Sequence, residues 1–179
     1  MSLLFENLIN NELVNHTKST LSSNESLTYY IDQKIGWETI EFYDSSSVNI
    51  LEPKKIIRNY NIGHSDIYLN FIRNTFRKID EIIDIDFFEM THNNGSMLDI
   101  YAVNYSSNFS AENVVGQALA QTSSLGSWWD IFWKDIKNEE DSYVKNNYNT
   151  IIHEIGHSLG LGHPNDDPWD KTLNSQDTV

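Results

Sequence analysis

No cysteine occurs in the 179 residues, so disulfides and thiolate-held metals are excluded. Any bound metal must be held by histidine and carboxylate. Positive charge is scarce: 12 Lys and Arg stand against 26 Asp and Glu, a formal charge of −14. A surface of that sign repels phosphate, which argues against nucleic acid and anionic membranes as partners and leaves cations tolerated. No apolar run reaches about 18 residues, so no transmembrane helix is expected. The opening stretch MSLLFENLINNELVNH has no basic start and is interrupted by Glu6, Asn7, Asn10 and Asn11, so no N-terminal signal peptide is visible. The lack of cysteine does not decide the compartment.

What is present suits one globular domain: 39% of residues are hydrophobic and 12% aromatic. Residues 1–26 are polar, with a short helix expected from Leu3 to Val14 and a linker after it, and read as an N-terminal extension or pro-segment. Residues 27–179 read as the main domain. Leu27 to Asp32 is rich in aromatic and β-branched residues and predicts a strand. Ile35 to Tyr43 and Ile56 to Tyr60 predict further short elements. From Ser65 to Ile83 the apolar residues Ile67, Phe71, Phe76, Ile79 and Ile83 recur at helical spacing. Strands are expected at Ile85 to Met90, Leu98 to Tyr105 and Val114 to Thr122, with a strand or aromatic loop at Ser127 to Asp135. A second helix is expected from Tyr143 to Leu159, with Val144, Tyr148, Ile152, Ile155 and Leu159 on its apolar face. The order of elements predicts an α/β or α+β fold with one sheet packed against two helices.

The informative segment is HEIGHSLGLGH, His153 to His163, which holds three of the six histidines. His153 and His157 are four apart, so on a helix they share one face at about 5–6 Å. Two neutral imidazoles at that spacing can both reach one Zn²⁺ at about 2.0–2.1 Å. Glu154 follows the first of them and is placed to act on a metal-activated water rather than on the metal. Gly160 tolerates positive φ, so the helix can stop and the chain turn sharply there. His163 can then return as a third ligand, and Pro164 prevents the helix from continuing. Three histidines leave one zinc position open, as hydrolysis requires. The competing interpretation, a helix with two buried histidines and a glycine cap, accounts for neither Glu154 nor His163.

HEIGHSLGLGH resembles the signature of the metzincin zinc endopeptidases, H-E-x-x-H-x-x-G-x-x-H. The intervening residues and His163-Pro164 look most like the serralysin and matrixin (peptidase M10) branch, nearer the serralysin side. The resemblance implies a twisted, mostly parallel sheet against two long helices, one bearing the zinc motif. It implies one catalytic Zn²⁺ on His153, His157 and His163, Glu154 as general base, and a polypeptide substrate. It also implies that an edge strand above the site takes up substrate backbone as an added strand. Val114 to Thr122 is the candidate, with Gly116, Gln117 and Ala118 as candidate substrate-binding residues. A secreted monomer is expected on the same grounds. In one respect the chain departs from the pattern: no Met follows Met97, so the Met-turn expected after the third histidine is missing, and truncation just before it is expected. A non-catalytic zinc-binding pseudo-protease or peptide-binding module is therefore the rival to a zinc metalloendopeptidase.

His16, His64 and His92 lie in polar or turn contexts and are expected to be structural or solvated, with His64 a candidate cap for the helix that follows it. Asn165 to Asp170 offers the carboxylates and carbonyls that Ca²⁺ takes, but a solvated turn is favoured. Trp128, Trp129 and Trp133 are expected in the core more than in a subsite.

Overall fold

A computed structural model describes residues 8–21, 25–43, 53–135, 141–163 and 174–178, with backbone only for 141–143 and 174–178. Asn11–Thr20 forms α1, Ser26–Ile31 β1, Ile35–Phe42 β2 and Lys55–Ile62 β3; α2 is Asp66–Asp80 and β4 Asp86–Met90. Leu98–Ser106 is β5, Val114–Ser123 β6, Gly126–Lys134 β7, Asp141–Ser158 α3 and Asn174–Thr178 β8. All eight strands join one sheet, ordered β2-β3-β5-β7-β6-β8, with β1 between β4 and the first residues of β5.

The α/β class is as expected, but the sheet is mixed rather than mostly parallel. Parallel pairing is confined to β1–β4, β1–β5 and β5–β7. Pairs β2–β3, β3–β5, β6–β7 and β6–β8 are antiparallel. The cause is local. The β2–β3 pair is a hairpin inserted between β1 and α2, and Ser124-Leu125 close a second hairpin, β6–β7. Hairpins pair antiparallel, whereas the long α2 crossover allows β4 to lie parallel to β1.

Alternation along the strands makes two cores. Leu98, Ile100 and Ala102 of β5 face the helices with Ile131 and Trp133 of β7, Ile72 and Phe76 of α2 and Ile151 and Ile155 of α3. Tyr101 and Val103 face the other way, with Phe132, Leu119, Ile57 and Phe42. Each fully buried large side chain contributes about 1.5–3 kcal/mol. Trp129 and Trp133 are completely buried, so they are core, as expected, whereas Trp128 is only partly buried and lines a surface cavity. The β2–β3 hairpin covers the second face, and Tyr43 N–H donates to Gln121 Oε1 at 2.6 Å where it meets β6.

Three helical expectations shift. The first helix starts at Asn11, because the Asn10 side chain accepts from Glu12 N–H and Leu13 N–H and so caps it. Residues 3–7 of the expected helix lie outside the described residues. In α2 the buried positions are Ile72, Thr75 and Phe76, while Ile67 is exposed. In α3, Val144 and Ile152 are exposed, and Ile151 and Ile155 are buried with Asn147, Glu154, His157 and Ser158. That helix turns polar residues inward because Asn147 has partners there: its Nδ2 donates to Tyr68 OH at 2.7 Å and to Asp135 Oδ1 at 2.9 Å. Apolar spacing alone therefore misplaces its inner face.

Candidate metal centre

His153 and His157 stand one turn apart near the end of α3. The helix then closes in a Schellman arrangement. Leu161 N–H donates to Gly156 O and Gly160 N–H to His157 O, both at 3.0 Å. Gly160 has φ of +97°, a conformation that L side chains rarely adopt. The reversal carries His163 back over the last turn of the helix.

The result is a triad. His153 Nε2 and His163 Nε2 are 3.1 Å apart. Ring centroids lie at 4.4 Å for His153–His157, 4.7 Å for His157–His163 and 5.1 Å for His153–His163. One nitrogen from each ring falls within 4.8 Å of the others, and among the described residues no other histidine or carboxylate group meets this criterion. Tetrahedral zinc with bonds of about 2.0–2.1 Å needs nitrogens roughly 3.3 Å apart, close to this spacing. His157 Nδ1 lies 2.6 Å from Leu161 O, so it carries the ring proton as donor and Nε2 is left as the lone-pair nitrogen. Three imidazoles with no thiolate suit Zn²⁺, so the donor set fits.

Glu154 is fully buried between the two helical histidines. Strand β6 crosses it at Gly116. A Cβ on Gly116 would overlap Glu154 Oε1 and sit 2.7 Å from Thr150 Cγ2, so any side chain there would push the Glu154 carboxylate out of its place. Of the three candidate substrate residues, Gly116 is thus against the carboxylate. Ala118 packs in the helix-side core. Gln117 belongs to the alternate set: it is buried and accepts from Asn108 Nδ2 at 2.5 Å. Strand β6 is also not the sheet edge expected, because β8 pairs antiparallel along it, Asn174 opposite Leu119 and Asp177 opposite Gly116.

The other histidines stand apart. His64 does not cap α2. It is buried, its Nδ1 donates to Asp32 O at 2.7 Å, and its Nε2 accepts from Trp133 Nε1 at 3.0 Å. Burial lowers its pKa to about 4, so it is neutral. His16 is buried edge-on against Trp129, with Nε2 3.0 Å from Trp128 O. His92 is exposed. The expected calcium loop, Asn165 to Asp170, lies outside the described residues. A cavity of about 1040 Å³, lined by Asp99, Tyr101 and Asp130, contains none of the three clustered histidines. Sequence reasoning missed the Leu161 carbonyl that orients His157. A backbone acceptor has no residue signature, although a Gly at the helix end with an apolar residue after it is the pattern of such a turn.

Comparison with known proteins agrees with this geometry. A search of curated proteins finds no match to the chain. The M10 peptidase family model, described as matrixin, matches residues 23–168, a span from just before β1 through the third histidine. The chain belongs to the matrixin family of peptidases.

Proposed function

We propose that this chain is a zinc-dependent metalloendopeptidase, with His153, His157 and His163 as ligands of a single catalytic Zn²⁺ and Glu154 as general base. The observation that carries the proposal is the convergence of three imidazole nitrogens within 4.8 Å beside a buried carboxylate. Zinc held there would supply Lewis acidity, making water more acidic and a peptide carbonyl more electrophilic. Glu154 takes the proton of the attacking water and returns it to the departing amine. Its burial strengthens that proton transfer by excluding bulk water. Leu161 O fixes the tautomer of His157, and Gly116 keeps the β6 backbone against Glu154.

The substrate is a polypeptide in extended form. Its backbone adds to β6 around Gly116, Gln117 and Ala118, in place of β8. The residues between and after the ligands favour a serralysin-like variant of the family. The protein acts outside the cell as a monomer, without nucleic acid or membrane partners. No helix among the described residues is long and apolar enough to cross a membrane.

The test is hydrolysis of a casein-like substrate by zinc-loaded protein. Glu154→Gln should retain zinc and lose about 10²–10⁴-fold in rate, the span of general acid–base catalysis. Equal rates for the two would overturn the proposal. A zinc-loaded wild-type chain that binds peptide without cleaving it would favour the non-catalytic binding module.

A further inference from the structure

The turn that carries His163 is gripped from outside the zinc helix. Asn10 N–H donates to Gly160 O at 3.0 Å, and Gly162 N–H donates to Leu8 O at 2.8 Å. Between these bonds Ile9 and Leu161 form an antiparallel bridge. About two helical turns later the Thr17 hydroxyl lies 2.8 Å from Ser158 O and 2.9 Å from Leu13 O, its proton shared between them. Val14 fills the space that a side chain on Gly160 would need, since a Cβ there would meet Val14 Cγ2 at 2.5 Å. Helix α1 is itself anchored: Leu13 is buried in the helix-side core, and His16 bonds the β7 backbone at Trp128.

These contacts fall on Ser158, Gly160, Leu161 and Gly162, between the second and third histidines. Two of the four are glycines, the residues with the most backbone freedom to lose on ordering. Held only by the helix cap, such a turn would place His163 loosely. Leu161 is also the residue whose carbonyl orients His157. A single short strand from the N-terminal segment therefore constrains two of the three imidazoles.

We propose that Leu8–Thr20 is a positioning element of the metal centre: a clamp that sets the approach of His163 and holds the Leu161 carbonyl on His157. The inference rests on the premise that these imidazoles hold zinc. It moves the boundary of the functional domain N-terminal to α1, so this segment is not a removable extension. The physical gain is preorganisation: a three-ligand site whose third arm is already ordered binds metal more tightly and with one geometry. Outer contacts of this kind are worth about 10–100-fold in metal affinity.

The full chain tests it through a matched pair, Asn10→Ala and Asn10→Pro. Both lose the side-chain cap of α1, but only proline also loses the N–H that reaches Gly160. The preceding residue pairs in an extended bridge, as a residue before proline must, and the Asn10 φ of −92° has only a modest change to make to reach the proline value. Zn²⁺ affinity, by competition with a chelator, should fall about 10-fold or more in Asn10→Pro relative to Asn10→Ala. The visible absorption of the Co²⁺-loaded protein should differ between the two, because its ligand-field bands follow coordination geometry. Equal affinities with superimposable Co²⁺ spectra would overturn the clamp. Should Asn10→Pro not fold, Thr17→Val decides, since it removes the bond to Ser158 with little change of shape: weaker Zn²⁺ binding and an altered Co²⁺ spectrum support the clamp, and wild-type values overturn it. A wild-type chain that binds Zn²⁺ no better than His157→Ala overturns the zinc premise, and the clamp with it.

Discussion

Gly116 shows how closely the candidate site is built. Its missing side chain is what lets β6 lie against the Glu154 carboxylate, and its replacement is a specific probe of that residue. Gly116→Ala should leave Zn²⁺ affinity within a few-fold and lower peptide cleavage about 10²-fold, the usual consequence of misplacing a reacting group by about 1 Å. Zinc titration and a cleavage assay on one preparation measure both. Unchanged cleavage would mean that Glu154 is not working from this position. At this scale the site was largely legible. Imidazole spacing, an acid beside the first ligand and a glycine before the third are chemical requirements that residue types state directly. Leu161 escaped because its contribution is a carbonyl, which every residue has. Ile152 misled because it has the right spacing for an inner face, yet α3 buries Glu154 and His157 instead.

Among the elements, β1, β4, β5 and β6 were legible nearly to their ends, β2, β3 and β7 only as short or ambiguous elements and β8 not at all, and the pairing partners were not legible. Val114 to Thr122 reads as a strand from its composition, but nothing in those residues shows that Asn174–Thr178 pairs with it. Pairing is decided by chain segments far apart in sequence, and periodicity is a local signal. The position of β8 has a consequence for the proposed activity. It lies along the side of β6 that an extended peptide would use, so opening that pairing should ease substrate entry. Successive N–H groups of an antiparallel strand alternate in direction, so one of Ser175→Pro and Gln176→Pro removes a donor to β6, and that variant should raise kcat/KM on a short peptide about 3-fold or more, with zinc binding unchanged. A fall in kcat/KM would instead mean that β8 supports the substrate groove. The bounds of helix α1 were misplaced for a related reason. Its polar Ser/Asn-rich surroundings look like a tail, while its anchors are a few backbone bonds, one buried leucine and the polar side chains of His16 and Thr17, which bond distant carbonyls.

Over the whole molecule, three buried titratable groups bend stability with pH, His64 in one sense and the Asp99–Asp130 pair in the other. His64 has a pKa lowered to about 4 by burial, with the Asp32 carbonyl bond opposing. Between about pH 6.5 and 4 the unfolded chain takes up a proton that the folded chain refuses. The fold thereby loses up to about 3 kcal/mol as the pH drops through that window. Asp99 and Asp130 sit opposite each other on β5 and β7. Burial raises their pKa values to about 8 and about 7; the Asp130 charge adds to the rise at Asp99, and Glu38 adds at both. Their stabilising protonated forms are lost as pH climbs toward those values, since the unfolded chain ionises near pH 4. Stability should therefore decline from about pH 6.5 to 8, where His64 no longer contributes, and Asp130→Asn should flatten that decline by on the order of 1 kcal/mol. Urea unfolding at several pH values checks it; an unchanged slope in Asp130→Asn would contradict the assignment. None of this was legible in the sequence, where the surplus of acid reads as solvated surface. It arises because the β2–β3 hairpin covers the second face of the sheet and encloses carboxylates beneath it.

The most direct test of the central claim is metal content. Wild-type chain and His163→Ala, each dialysed against trace Zn²⁺ and analysed by atomic emission, should differ: about one Zn²⁺ per wild-type chain, and far less in the variant, whose site is left with two imidazoles. Wild-type chain free of zinc, or a variant that holds as much as wild type, would contradict the account.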